Sequence, residues 1–116
     1  MDPVEPAKLS THHCVPCEGG VDPLTPAQFA PYMEITKDWK VAVDTKSISR
    51  EFAFKDFKEA LSFVNKVGDI AESEGHHPDI NMHSWNKVLI TLSTHAIHGL
   101  SVNDFVLASK IDLLNR

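Results

Sequence analysis

No stretch of the 116 residues approaches the ~18 consecutive apolar positions that a membrane span requires, so no transmembrane segment is expected. The first twenty residues carry Asp2, Glu5, Lys8, His12 and His13 where a secretory signal would need an apolar run, which points to a cytoplasmic protein. Cysteine is scarce: Cys14 and Cys17 form one C-x-x-C, with no second pair to complete a zinc ribbon and no preceding strand to make a thioredoxin-like motif. Reduced structural thiols are expected there, the alternative being a small metal site completed by His12 and His13. Basic residues are outnumbered 11 to 16, and a net charge of −5 repels a phosphate backbone, so direct binding of nucleic acid is not expected. Neither G-x-G-x-x-G nor G-x-x-x-x-G-K-[ST] occurs, which removes the usual dinucleotide and nucleotide-phosphate cradles. Histidine, by contrast, is plentiful: protonating all seven would carry the formal charge from −5 to +2, so charge depends strongly on pH near neutrality.

The length suits one domain that folds without disulfides or a structural metal but is small enough to gain from self-association. Residues 1–23 hold Pro3, Pro6, Pro16, Pro23, Gly19 and Gly20 with little apolar periodicity, and predict a loosely ordered leader before a single domain over 24–116. Thr25-Pro26-x-Gln28 is a helix start, with the helix running to about Met33. Trp39, Val41 and Val43, then Ile48, Phe52 and Phe54, alternate with period two and predict a hairpin. Arg50 falls on the apolar side of its second strand, which an edge position or a paired charge would explain. Asp56-x-x-Glu59 opens the longest helix, ended by Gly75. Its apolar residues, among them Phe57, Leu61, Val64 and Ile70, cover an arc of roughly 180°, wider than the ~100° that one packing face needs. The surplus requires either enclosure by the same chain or a subunit interface, and in so short a chain the interface is favoured. Ile80, Met82 and Ser84 form a third strand, and Val88, Ile90 and Leu92 a fourth, with the turn near Asn86-Lys87. Ser101-x-x-Asp104 caps a last helix. Two hairpins separated by helices predict an α+β fold: a four-stranded antiparallel sheet with helices packed on one face.

Three histidines suit general acid–base work, because an imidazole with an ordinary pKa of ~6.5 can accept or donate a proton near neutral pH. His76 and His77 leave the end of the long helix between Gly75 and Pro78, and His95 leaves the end of the fourth strand on its more polar side. Taken alone, the adjacent pair suits a polar helix C-terminus better than catalysis, since there a charged imidazole meets the negative end of the dipole. His83 and His98 look like surface residues. Metal binding by His76, His77 and His95 would need a further ligand, and no spacing here is diagnostic of zinc.

The pattern Glu72-x-x-x-His76-His77-Pro78, followed by Trp85, His95 and Asp104, resembles the signature of the pterin-4a-carbinolamine dehydratases, and the similarity extends over roughly residues 14–114. Thr94 beside His95, Gly99-Leu100-Ser101 and Asp56–Leu61 fit the same family, and Cys14-Val15-Pro16-Cys17 resembles a leader found in a subset of it. The resemblance implies dehydration of 4a-hydroxytetrahydropterin to quinonoid dihydropterin, in tetrahydrobiopterin recycling, with neither metal nor organic cofactor. It implies His76 and His95 as the acid–base pair and His77 as the group that holds and polarises the pterin. Glu72, Trp85, Thr94 and Asp104 would then be substrate-side residues: Trp85 an aromatic wall or a strand-packing residue, Glu72 an imidazole-orienting group or a solvated helix residue. Asp104 has a sufficient role in the capping box. A homodimer or homotetramer through the helix 56–74 is expected. The alternative is a protein-interaction module, since some members of the family bind and stabilise the dimer of a homeodomain transcription factor.

Overall fold

Helix starts and stops are set by local chemistry. In the computed structural model, which describes residues 5–15 and 21–115, Thr25 and Gln28 cap each other reciprocally and open α1, Pro26–Ile35. The Asp56 carboxylate accepts the Glu59 N–H at 2.8 Å to open α2, Phe57–Glu74. Gly75, in the left-handed conformation at φ 66°, closes α2 where a side chain would be strained. The last helix, α3, spans Val102–Leu114. Among the described residues no helix is long and apolar enough to cross a membrane.

Four strands, β1 (Lys40–Val41), β2 (Ile48–Ala53), β3 (Asp79–His83) and β4 (Lys87–Leu92), form one antiparallel sheet in the order β1-β2-β4-β3. Ile48 pairs with Leu92 and Phe52 with Val88, while Ile80 and Met82 of β3 face Ile90 and Val88, so one side of the sheet is apolar. Ile48, Val88, Ile90 and Leu92 are fully buried there, each worth roughly 1.5–3 kcal/mol of transfer free energy. Helices cover that side. From α2, Ala60, Phe63, Val67 and Ala71 face inward, with the Phe63 ring 4.7 Å from Phe52 and 4.9 Å from Phe54. The first half of α3 is buried on all sides, from Asn103 to Ser109.

Arg50 lies on the helix-facing side of an interior strand, so its tolerance comes from pairing and not from an edge. Its guanidinium sits 4.4 Å from the centre of the Phe52 ring and donates to Asp112 Oδ1 at 2.7 Å, where the Trp39 indole also donates at 2.8 Å. Burial nonetheless outweighs these donors and pushes the Asp112 carboxyl above its ordinary value.

Three expectations are corrected. The alternation through Val43 overshoots: β1 ends at Val41, the Ala42 N–H bonds Ser47 O, and Val43 is fully exposed in the connecting loop. The β3–β4 turn lies one residue earlier than Asn86-Lys87, over Ser84, Trp85 and Asn86. Ser84 and Trp85 take positive φ without glycine, while the Asn86 side-chain amide donates to Phe54 O at 2.8 Å. The leader is not loose over 5–15: a 3-10 turn at Pro6–Thr11 inserts Leu9, 1% exposed, into the core beside α1 and α3, and the Lys110 ammonium holds Ser10 O at 3.1 Å. Leader residues 1–4 and 16–20, Cys17 among them, lie outside the described residues.

Candidate active site

Antiparallel pairing brings the chain out of α2 and the end of β4 to the same end of the sheet, since Asp79 pairs with Thr91. Between them opens a cavity of about 550 Å³, within the range of small-molecule sites. His76, His77 and His95 all line it. The left-handed Gly75 makes the sharp exit that keeps the adjacent imidazoles on one cavity: His76 points inward with its side chain 12% exposed, and His77 stands at the rim, 64% exposed. His95 begins a short 3-10 turn, His95–Ile97, closed by the Thr94–Gly99 bridge. Gly99 has to be glycine there, because a Cβ would come within 2.6 Å of the Pro23 ring.

Beneath the cavity Asp104 is completely buried and its carboxylate has three donors. Oδ2 accepts the Ser101 N–H at 2.9 Å and the Thr94 hydroxyl at 2.8 Å, and Oδ1 meets His76 Nε2 at 2.6 Å. A carboxylate only accepts, so His76 carries its proton on Nε2 and leaves Nδ1 as a lone-pair acceptor in its neutral form. Such a pairing fixes the tautomer and favours the imidazolium once Nδ1 takes a proton. One carboxylate thus combines a helix-capping bond with an imidazole-orienting bond. The Thr94 hydroxyl, 2.7 Å from Ser101 Oγ, is used within this network, so its contribution to the cavity is indirect.

Glu72, on the exposed face of α2, orients the second imidazole of the pair: its Oε2 lies 3.0 Å from His77 Nε2, while Asp104 takes the ring nitrogen of His76. Trp85 is not at the cavity. It sits 60% exposed in the β3–β4 turn, separated from the His76–His77 exit by the whole of β3, about 17 Å at ~3.4 Å per residue. His83 pairs with Glu51 and Ser84 on the open face of the sheet, also away from the cavity.

Sequence reasoning missed the residues that close the cavity from the N-terminal side. The Cys14 N–H donates to Glu74 Oε1 at 2.7 Å, the Val15 N–H donates to Asn103 Oδ1 at 2.9 Å, and Asn103 Nδ2 donates to Val15 O at 2.6 Å. These partners are 60 and 88 residues apart in the chain, so no local pattern announces them. Burial, reinforced by the negative charges of Glu74 and Asp104, pushes the Cys14 thiol up to about 12, so it remains a neutral thiol and a poor metal ligand or nucleophile. Among the described residues no group of three or more His, Cys, Asp or Glu side chains is arranged to hold a metal ion.

Comparison with known proteins bears on this site. Residues 22–114 match the family model described as pterin 4 alpha carbinolamine dehydratase. A relative from Alkaliphilus metalliredigens, provisionally named a pterin-4-alpha-carbinolamine dehydratase, is 49% identical over 105 residues, covering 90% of this chain and 93% of its own. The mitochondrial pterin-4-alpha-carbinolamine dehydratase 2 of Arabidopsis thaliana is 43% identical over 93% of this chain and 59% of its own. Among solved structures, one described as a transcriptional coactivator/pterin dehydratase from Brucella melitensis superposes with a TM-score of 0.74 at 29% identity, covering 80% of this chain and 98% of that one.

Proposed function

Because this chain belongs to the pterin-4a-carbinolamine dehydratase family, we propose that it converts 4a-hydroxytetrahydropterin to quinonoid dihydropterin and water by histidine acid–base catalysis. The observation that carries the reading is the buried Asp104–His76 pair opening onto the cavity that His95 and His77 also line. In the reaction the C4a–O bond breaks, the N5 proton is removed and a C4a=N5 double bond forms. His76 Nδ1 takes the N5 proton, since Asp104 stabilises the resulting imidazolium. His95, exposed and protonatable, gives a proton to the departing hydroxyl so that it leaves as water. Both rings then return to their starting states by exchange with solvent. His77, paired with Glu72, holds the polar edge of the pterin.

The role is tetrahydrobiopterin recycling in the cytoplasm. The protein self-associates through α2, whose Phe57 and Leu61 remain 55% and 43% exposed after the rest of the chain has packed. A second reading, a dimerisation cofactor for a transcription factor, draws on that same uncovered face and does not compete with catalysis in the cavity.

The test is stopped-flow detection of quinonoid product from enzymatically generated carbinolamine. His76→Ala combined with His95→Ala is expected to lower turnover by at least ~10²-fold, the usual share of general acid–base catalysis. Unchanged turnover would leave only the binding reading.

A further inference from the structure

A flat heterocycle is held well by apolar surface against one of its faces, and the helix and strand ends that carry the histidines bring few aliphatic side chains to the cavity. Apart from the N-terminal segment, Ala96 is the one apolar side chain beyond glycine in the lining of the cavity. Trp85, the aromatic residue that the sequence pattern offers for this purpose, is at the other end of the sheet.

The missing surface comes from residues 14 and 15. The Cys14 thiol donates to Asn103 O at 3.6 Å and, being neutral, behaves as a compact apolar group. The Val15 side chain is 49% exposed although it lines the cavity. Neither residue belongs to a helix or strand, so both depend on side-chain clamps for their position. One clamp is Glu74, 7% exposed, which takes the Cys14 N–H and the His13 ring at 2.9 Å and lies 3.7 Å from the Lys110 ammonium. The other is Asn103, 5% exposed, whose amide bonds both the N–H and the C=O of Val15 as a neighbouring strand would. Two buried polar side chains are thus committed to fixing a short piece of backbone beside the histidines.

We propose that Cys14 and Val15 form the apolar wall against which one face of the pterin ring is held, with Val15 as a specificity-determining contact and Glu74 and Asn103 as the positioning residues that hold the wall. This rests on the dehydratase reading and extends it to the binding of the ring. The wall touches the ring and not the transferred protons, so its loss weakens binding while the acid–base groups keep their rate.

The experiment measures KM and kcat for the carbinolamine, and in parallel the Kd of 7,8-dihydropterin by calorimetry, for the full chain and three variants. Val15→Ser is expected to raise KM and Kd about tenfold, the usual consequence of removing a small apolar contact from a pocket, with kcat within threefold of wild type. Val15→Ile, which keeps the apolar wall, is expected to avoid the tenfold loss of Val15→Ser in both. Asn103→Ala, which releases Val15, is expected to raise KM in the same way, an effect that a purely structural clamp would replace with a lowered melting temperature alone. The exposed Val15 side chain can be changed without threatening the fold. If the wild-type chain binds dihydropterin and turns over carbinolamine while Val15→Ser stays within twofold in KM and Kd, the wall is refuted and the dehydratase reading stands. If the wild-type chain does neither, both fall together.

Discussion

Replacing Asp104 by Asn separates the catalytic use of this side chain from its structural use, because the two are distributed over different oxygens. Ser101 presents a backbone N–H that can only donate, so the carbonyl oxygen of the new amide has to occupy the Oδ2 position, where the Thr94 hydroxyl can also still donate. The amide nitrogen then faces His76 Nε2, 2.6 Å from Oδ1 in the wild-type arrangement, and obliges that nitrogen to accept. The proton of the imidazole moves to Nδ1. Nδ1, the nitrogen proposed to take the substrate proton, becomes a donor, the wrong state for a base. The expected loss is roughly 10²- to 10⁴-fold in kcat, about 2.7–5.4 kcal/mol of barrier. Stability changes less, by about 1–2 kcal/mol. Each partner keeps a hydrogen bond, the charge assistance is lost, and the relieved desolvation of a buried carboxylate offsets part of that loss. Stopped-flow kinetics gives the rate, long-range proton–nitrogen correlation of the histidine ring gives the tautomer, and urea denaturation gives the stability. Wild-type turnover in the Asn variant would refute the reasoning. So would lost turnover with His76 still protonated on Nε2.

The Glu74 clamp should titrate in acid. Burial by itself pushes the Glu74 carboxyl up, but the Cys14 N–H, the His13 ring and the Lys110 ammonium together hold it below the ordinary glutamate value. A lowered folded-state pKa means that the charged form stabilises the fold above the unfolded value of ~4.3 and that this contribution disappears as pH falls through the folded value. The melting temperature of wild type should therefore exceed that of Glu74→Gln at pH 6, by the equivalent of about 1–2 kcal/mol, and the two should converge as pH falls through the lowered folded value. A difference independent of pH would contradict the assignment. On the outer face of α2, Phe57→Asp with Leu61→Asp is expected to convert the oligomer to monomer in sedimentation without loss of fold, since both side chains are exposed in the protomer. A wild-type protein that is strictly monomeric at micromolar concentration would defeat the proposed interface.

Most of the fold was legible because most of its signals are local. Thr25, Asp56, Gly75 and the Ser101–Asp104 pair act within one helical turn of where they stand, and the alternation of Val88, Ile90 and Leu92 reports a single buried sheet face. What failed needed the third dimension. Val43 continues the alternation of Trp39 and Val41, yet the chain has already turned, and periodicity carries no information about where a strand stops pairing. The leader looked loose because its scattered apolar residues follow no period, and the cavity among α1 and α3 that makes Leu9 decisive is assembled from residues far along the chain.

The site divides in the same way, and here one miss had a physical signal. His76, His77 and His95 were visible as residue types at spaced positions, whereas the Asp104–His76 bond needs the end of α2 to land beside the start of α3, 28 residues later. Trp85 is different. A strand of five residues between His77-Pro78 and the tryptophan has to carry the chain roughly 17 Å away from the histidine exit, and the following strand has to bring it back before His95. An antiparallel hairpin cannot place its tip and its two open ends around one ligand, so His76 and His95 at the open ends of β3 and β4 already exclude Trp85 from their cavity within one protomer. The apolar surface then has to come from an element outside the hairpin. Cys14 and Val15 are the lining residues that meet that condition with apolar side chains and a backbone fixed from both sides.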